Sequence, residues 1–293
     1  MDINTLRQWI AERDSYSILE TVDVHTGLRR VLKEFDYVIE APNWTQDGKS
    51  LVYNSQGHLF TYQLASGQIQ KIDTGFAIDC NNDHVLSPDN TQIAISHFTN
   101  EDATSRIYIL PFQGGQPVLV TKNGPSYLHG WSPDRQRLAY CAERGGQYDI
   151  YSIPVNGGEE TRLTDLPGLD DGPEYSPDGR HIWFNSTRTG LMQVWRMEAD
   201  GSNPTHMIHE DANCWFPHLS PDGKWVVYIV YGKNDVAAGD HPANKNVELR
   251  LIPAEGGASK TILKLFGGQG TINVNSWSPD NRTIAFVSYK LKS

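Results

Sequence analysis

Polar side chains able to ligate, donate or accept gather in five stretches of this chain. They are Asn81-Asn82-Asp83-His84, Tyr127 to His129, Asp170 to Glu174, Asn213 to His218 and Gln269 to Asn275. Each lies just ahead of a Ser-Pro-Asp triplet. Counted back from that Ser, His84 and His129 stand at minus three, and Glu174 and His218 at minus two. Imidazole nitrogen and carboxylate oxygen are donors that zinc and manganese accept, and carboxylates alone suit calcium. His84, His129, Glu174 and His218 are therefore candidate ligands for a divalent cation, whether manganese, zinc or calcium. Asp171 and Glu174, grouped with Asp170, are candidates for general acid/base work. A solvated channel lining without any ligand accounts for the same residues.

The neighbouring residues suit a hydroxyl-rich ligand. Asn81, Asn82, Asn213, Asn273, Asn275 and Gln269 offer carboxamides, which both donate and accept. Trp215 and Phe216 beside His218 would stack on a sugar ring, or pack between sheets. The expected ligand-binding set is thus Asn82, Asp83, His84, His129, Asp170, Asp171, Glu174, Trp215, His218, Gln269, Asn273 and Asn275. No Gly-x-Ser-x-Gly stretch occurs, so the triplet serines are turn residues and not nucleophiles. Phe266 to Gly270 is glycine-rich but lacks the strand and helix that make a phosphate cradle.

These residues depend on a repeat to bring them together. Its Ser/Thr positions are 45, 87, 132, 176, 220 and 278, giving steps of 42, 45, 44, 44 and 58. A period near forty residues is that of a four-stranded propeller blade. Four residues after each Asp comes an aliphatic residue (Leu51, Ile93, Leu138, Ile182, Val226, Ile284), and two further on a second apolar one. That alternation predicts a strand burying one face. Pro fixes φ, and Ser or Asp bonds nearby backbone, so the triplet is a turn. The residue before it (Trp44, Leu86, Trp131, Tyr175, Leu219, Trp277) is large and apolar, and is expected to pack between blades.

The ends of the chain each supply two unpaired strands. Ser17 to Val24 and Leu28 to Leu32 flank a His25-Thr26-Gly27 turn, while Ile272 to Trp277 and Thr283 to Ser288 close the sequence. Their union predicts an all-β, six-bladed propeller of four-stranded antiparallel blades. In its last blade the C-terminus gives the inner pair and the N-terminus the outer pair. Such a clasp hides edges that would otherwise pair with other chains. Residues 1–13 are expected to form a short arm and 14–293 a single propeller domain. The longest step, 58, places an insertion at Gly232 to Asn246, which brings His241, Asn244 and Lys245 either to a lid or to an exposed loop.

Trp131 to Asp134, Tyr175 to Gly179, Leu219 to Lys224 and Trp277 to Asp280, with Gly-Gly turns behind them, resemble the repeat of the TolB-type propeller family. The resemblance covers roughly residues 15–289 and implies the fold, not an activity, since propellers host unrelated functions. In repeat style the chain is also similar to oligogalacturonate lyase, which uses histidines around a divalent metal. No motif of that enzyme matches residue by residue.

A net charge of −10 with no Lys/Arg cluster argues against a nucleic-acid partner. No apolar run approaches the roughly 18 residues of a membrane span. Met1 to Arg13 has no apolar leader core, so the chain as given reads as cytoplasmic, or as periplasmic if a leader has been removed. Cys80, Cys141 and Cys214 are odd in number and widely spaced, which suggests buried free thiols. Three functions fit. The first, and favoured, is a binding module for a small polar ligand, such as a carbohydrate, or for a protein partner. The second is a metal-dependent lyase or hydrolase acting on carbohydrate. The third is a pure scaffold. Concentration of His, Asp, Glu and Asn on one face of blades two to six favours the first over the third.

Overall fold

A computed structural model describes residues 15–292, so the expected arm at 1–13 lies outside the described residues. The described chain forms six antiparallel sheets arranged as a closed ring. Blade 1 contains Glu40–Trp44, Ser50–Ser55, His58–Gln63 and Ile69–Lys71. Blades 2 to 5 repeat the order with inner strands Cys80–Leu86, Ser126–Trp131, Asp170–Tyr175 and Ala212–Leu219. In the sixth blade Thr283–Leu291 pairs with Ser15–Asp23 from Leu291 opposite Ser15 to Thr283 opposite Asp23. Arg29–Glu34 forms its outer edge. The predicted innermost strand of that blade departs from regularity. A 3-10 turn at Gln269–Thr271 precedes it, and its strand pairing reduces to one bridge between Trp277 and Ile284. Its side chains turn instead to neighbouring blades. Asn43 Nδ2 donates to the Asn275 carbonyl at 2.7 Å, and Ser276 Oγ to the Pro42 carbonyl at 2.7 Å, so blade 6 is joined to blade 1.

The repeated turn explains why each blade starts alike. In all six, the Ser or Thr hydroxyl donates to the Asp carboxylate at 2.5–2.7 Å. The same hydroxyl accepts the backbone N–H that opens the second strand, at 2.9–3.0 Å. The residue after Asp adopts a left-handed conformation in every copy: Gly48, Asn90, Arg135, Gly179, Gly223 and Asn281. Gly and Asn enter that region readily, and Arg does so at a cost.

Six apolar clusters fill the six interblade interfaces. The residue before each turn packs against the preceding blade, as Trp131 does among Ala94, Ile107 and Ile109 of blade 2. Full burial of such a side chain contributes on the order of 2 kcal/mol, so each turn also anchors an interface. Among the described residues no helix is long and apolar enough to cross a membrane. The three cysteines are buried and free.

Candidate functional site

Each inner strand of blades 1 to 5 begins on the face opposite the Ser-Pro-Asp turns and carries a β-bulge before it reaches them. A bulge leaves one or more residues unpaired and re-aims the side chains around it. In blade 3 the unpaired residue is His129, between the Leu128–Tyr140 and Gly130–Ala139 pairs. In blade 2 four steps from Cys80 to His84 span only two on the partner strand, leaving Asn81, Asn82 and Asp83 unpaired. The bulges deliver these polar residues to the axis in two tiers.

The upper tier, nearest the mouth, is centred on His129. Its Nε2 lies 3.2 Å from Asp171 Oδ1 and 4.0 Å from Asp83 Oδ1. Asn273 Nδ2 donates to Asp83 Oδ1 at 2.7 Å, and Asn81 Nδ2 donates to Asp83 Oδ2 at 2.7 Å. Asn273 Nδ2 also reaches Asn82 Oδ1 at 3.3 Å, so Asn82 joins the same tier. Burial pushes the His129 imidazole down, yet the Asp171 hydrogen bond and the charges of Asp83 and Asp171 carry it above its ordinary value. Burial lifts the Asp83 carboxyl, opposed by the His129 charge and the Asn273 amide, and the net direction is upward. Burial acts on Asp171 in the same sense, but His129 and His241 hold it well below the usual carboxylate range. The tier is thus an imidazole flanked by two carboxyls whose pKa values are driven apart.

The insertion supplies the rest. His241 Nε2 stands 3.8 Å from Asp171 Oδ2, and its ring meets Trp215 edge-on at 4.2 Å. Residues 232–246 are largely exposed, and part of the segment touches the body. Tyr231 donates to the Pro242 carbonyl at 3.2 Å, Ser15 Oγ to Asn244 Oδ1 at 3.1 Å, and Ala243 packs with the blade 6–blade 1 cluster. Lys245 Nζ turns back to the Asp235 carbonyl at 3.4 Å. Below His241, Trp215 is fully buried and Phe216 stacks on His129 at 5.9 Å. Phe216 has φ 52, a strained conformation for a bulky residue. Asn185 holds it there, accepting the Phe216 N–H at 3.0 Å while donating to the Cys214 carbonyl at 2.9 Å. Gly172 at φ 60 is needed alongside, because a Cβ would come within 2.6 Å of Asn185 Oδ1 and 3.3 Å of Phe216.

The lower tier is closed on itself. His218 Nδ1 lies 2.7 Å from Glu174 Oε2, and His218 Nε2 lies 2.5 Å from the Ile272 carbonyl. A carbonyl only accepts, so Nε2 is the donor to Ile272. Glu174 Oε1 accepts the Leu219 N–H at 3.0 Å and Asn275 Nδ2 at 2.7 Å. Both nitrogens of His218 and both oxygens of Glu174 are engaged.

The four residues read as metal ligands therefore do not converge. His129 is in the upper tier, while Glu174 and His218 pair with each other in the lower. His84 pairs with Ile95 and is 0% exposed, its ring facing the backbone of Ala41 and Val52 in the wall between blades 1 and 2. Its nitrogens have no hydrogen bond of ordinary length, and burial pushes it down to about 4. Among the described residues no group of three or more His, Cys, Asp or Glu side chains is arranged to hold a metal ion. Asp170 also leaves the set, since its carboxylate turns into blade 4 and accepts from Arg188 at 2.8 Å. Trp215 lies under the lid and not as an open sugar platform. Gln269, half-buried, sits in the turn joining blades 5 and 6. The residue left out of the expected set is His241. Its signal was the long step that places a His-Pro pair inside the insertion.

The family model described as the TolB beta propeller domain matches residues 85–251. A solved structure from Agrobacterium tumefaciens, provisionally named TolB, is 46% identical, with a TM-score of 0.91 covering 95% of this chain and 99% of that one. The Tol-Pal system protein TolB of Francisella tularensis is 27% identical over 86% of this chain, and the matched part is 57% of that protein. The chain thus spans little more than half the length of that relative. An oligogalacturonate lyase solved with manganese overlays with a TM-score of 0.58 over 96% of this chain and 98% of that one, at 13% identity, which is a likeness of fold alone.

Proposed function

The chain belongs to the TolB β-propeller family, and from that premise we propose that it is a recognition module working through the lid-covered mouth of its axial channel. It holds a polar ligand, a carbohydrate among the candidates, or a segment of a partner protein. The observation that carries this reading is the upper tier: Asp83, His129 and Asp171 come together from three blades, and Asp171 stands beside an imidazole from the insertion. A buried charged network is costlier than apolar packing of equal volume, and stability alone does not call for it. The edge of the tier also reaches solvent, with side-chain exposures of 14% at Asp171 and 22% at His241.

The test is a thermal-shift panel of oligosaccharides, uronates and divalent metals on the wild type, run beside affinity capture from lysate. Each is repeated with Asp171→Asn. A ligand or partner bound by the wild type and lost in the variant is the expected outcome. Binding that ignores Asp171→Asn would place recognition elsewhere on the propeller.

A further inference from the structure

His241 occupies the mouth in a manner that describes its own replacement. The ring is flat and bears nitrogen. A carboxylate oxygen of Asp171 lies 3.8 Å from Nε2, the Trp215 ring stands perpendicular at 4.2 Å, and the Phe216 ring lies at 5.3 Å. An acidic group with two aromatic rings beside it is the setting in which a cation is held by charge and by ring quadrupoles together. Trp215 is 0% exposed and Phe216 1% exposed, so both rings are shielded from water while His241 is in place.

Withdrawing His241 removes the imidazole that stands 3.8 Å from Asp171 Oδ2 and leaves that carboxylate oxygen open to a cation. The lid is built to withdraw. None of residues 233–244 is buried. Past the Lys233–Asp211 contact of 2.6 Å at its base, the side-chain hydrogen bonds that tie it to the body are 3.1 Å from Ser15, 3.2 Å from Tyr231 and 3.4 Å from Asn213 to the Val236 carbonyl. Below it the receiving surface is fixed, with Phe216 clamped by Asn185.

Resting on the recognition reading above, we propose that the mouth is a receptor for a planar cation of the guanidinium class, and that His241 fills the place of that cation while the lid is down. The ligand displaces the imidazole, pairs with Asp171 and lies against Trp215 and Phe216. Closure of the lid competes with the ligand, so the apparent affinity of the wild type is reduced by the fraction of molecules that are closed.

The experiment is calorimetric titration with N-acetylarginine amide, using the neutral isostere N-acetylcitrulline amide as control. Wild type, His241→Ala, His241→Gln and the double variant His241→Ala/Asp171→Asn are compared, each first checked for a cooperative melt. His241→Ala is expected to bind the arginine probe about ten-fold more tightly than wild type or better, as removal of a competing closed state allows. His241→Gln, which keeps bulk and loses the ring, is expected to fall between them. The double variant is expected to lose the gain, and citrulline to bind none of the four. Equal affinity in wild type and both single variants overturns the inference, as does equal binding of citrulline. A neutral ligand whose binding changes with His241→Ala would overturn the guanidinium and leave recognition at the mouth standing.

Discussion

The two tiers of the channel are built from the same residue types and differ in how they are satisfied. In the lower tier, Glu174 and His218 engage each other, the Leu219 N–H, Asn275 and the Ile272 carbonyl, and no strong group is left over. In the upper tier the imidazole–carboxylate separations open to 3.2–4.0 Å, while Asn82 Nδ2 and Asn273 Oδ1 are buried without partners. A pair with every lone pair used is a fastener. A network with slack and with solvent at its rim can accept something else. The lower tier locks blades 4, 5 and 6 together, and that rigidity positions the upper one.

The sharpest way to break this contrast is to cut each tier once. His218→Ala leaves the Glu174 carboxyl buried without its partner, and removing one member of a buried pair costs roughly 3–5 kcal/mol. Asp171→Asn keeps the shape and leaves His129 with Asp83, so its cost is expected near 1 kcal/mol. Urea unfolding of both variants measures the difference. Equal losses would mean that the tiers are one structural unit, and the division of labour argued above would be gone.

His84 sharpens the comparison from a third, dry site on the same strand as Asp83. Its imidazole is fully buried and its pKa is lowered from 6.5 to about 4. Between those values the unfolded chain holds a proton that the native state lacks, so stability falls as pH drops from 6.5 and levels off below 4. The effect amounts to a few kcal/mol at most over that window. His129, whose pKa is raised, acts with the opposite sign: its contribution is present at low pH and lost as pH rises through the folded-state value. The two are separated by His84→Leu, measured against wild type at several pH values. The variant is expected to lose the acid-side slope and match or exceed wild-type stability near neutrality. A slope unchanged in the variant would assign the acid sensitivity to another group.

His84 also shows where the sequence stopped being readable. Ring closure, blade number and the clasp follow from six turns and two pairs of orphan strands, because those signals are local and repeated. The site does not, because counting back from Ser assumes regular strands. His84 and His129 share the minus-three position, yet His129 is the unpaired residue of its bulge while His84 has returned to the ladder opposite Ile95. One therefore points to the axis and the other into the wall. Asp170 and Asp171 are split in the same way by strand alternation. His241 was visible only as part of a long insertion, since nothing local specifies which loop residue meets a carboxylate from another blade.

The smallest effect lies at the opposite end of the propeller, in the Ser-Pro-Asp turns. Arg135 takes the left-handed position that Gly or Asn fills in the other five turns. That conformation costs a non-glycine residue about 1 kcal/mol. Its compensation is an ion pair with Asp89, in which the Arg135 side chain is 55% exposed, and pairs so placed contribute little. Arg135→Gly is therefore expected to raise stability by about 0.5 kcal/mol, after the entropy that glycine adds to the unfolded chain is set against the relieved strain. It should leave binding at the mouth unchanged. A loss of stability would show that the bond to Asp89 staples blades 2 and 3 more firmly than surface pairs usually do. A change in binding would show that the turn face and the mouth are coupled through the inner strands, and that rigidity does not end at the lower tier.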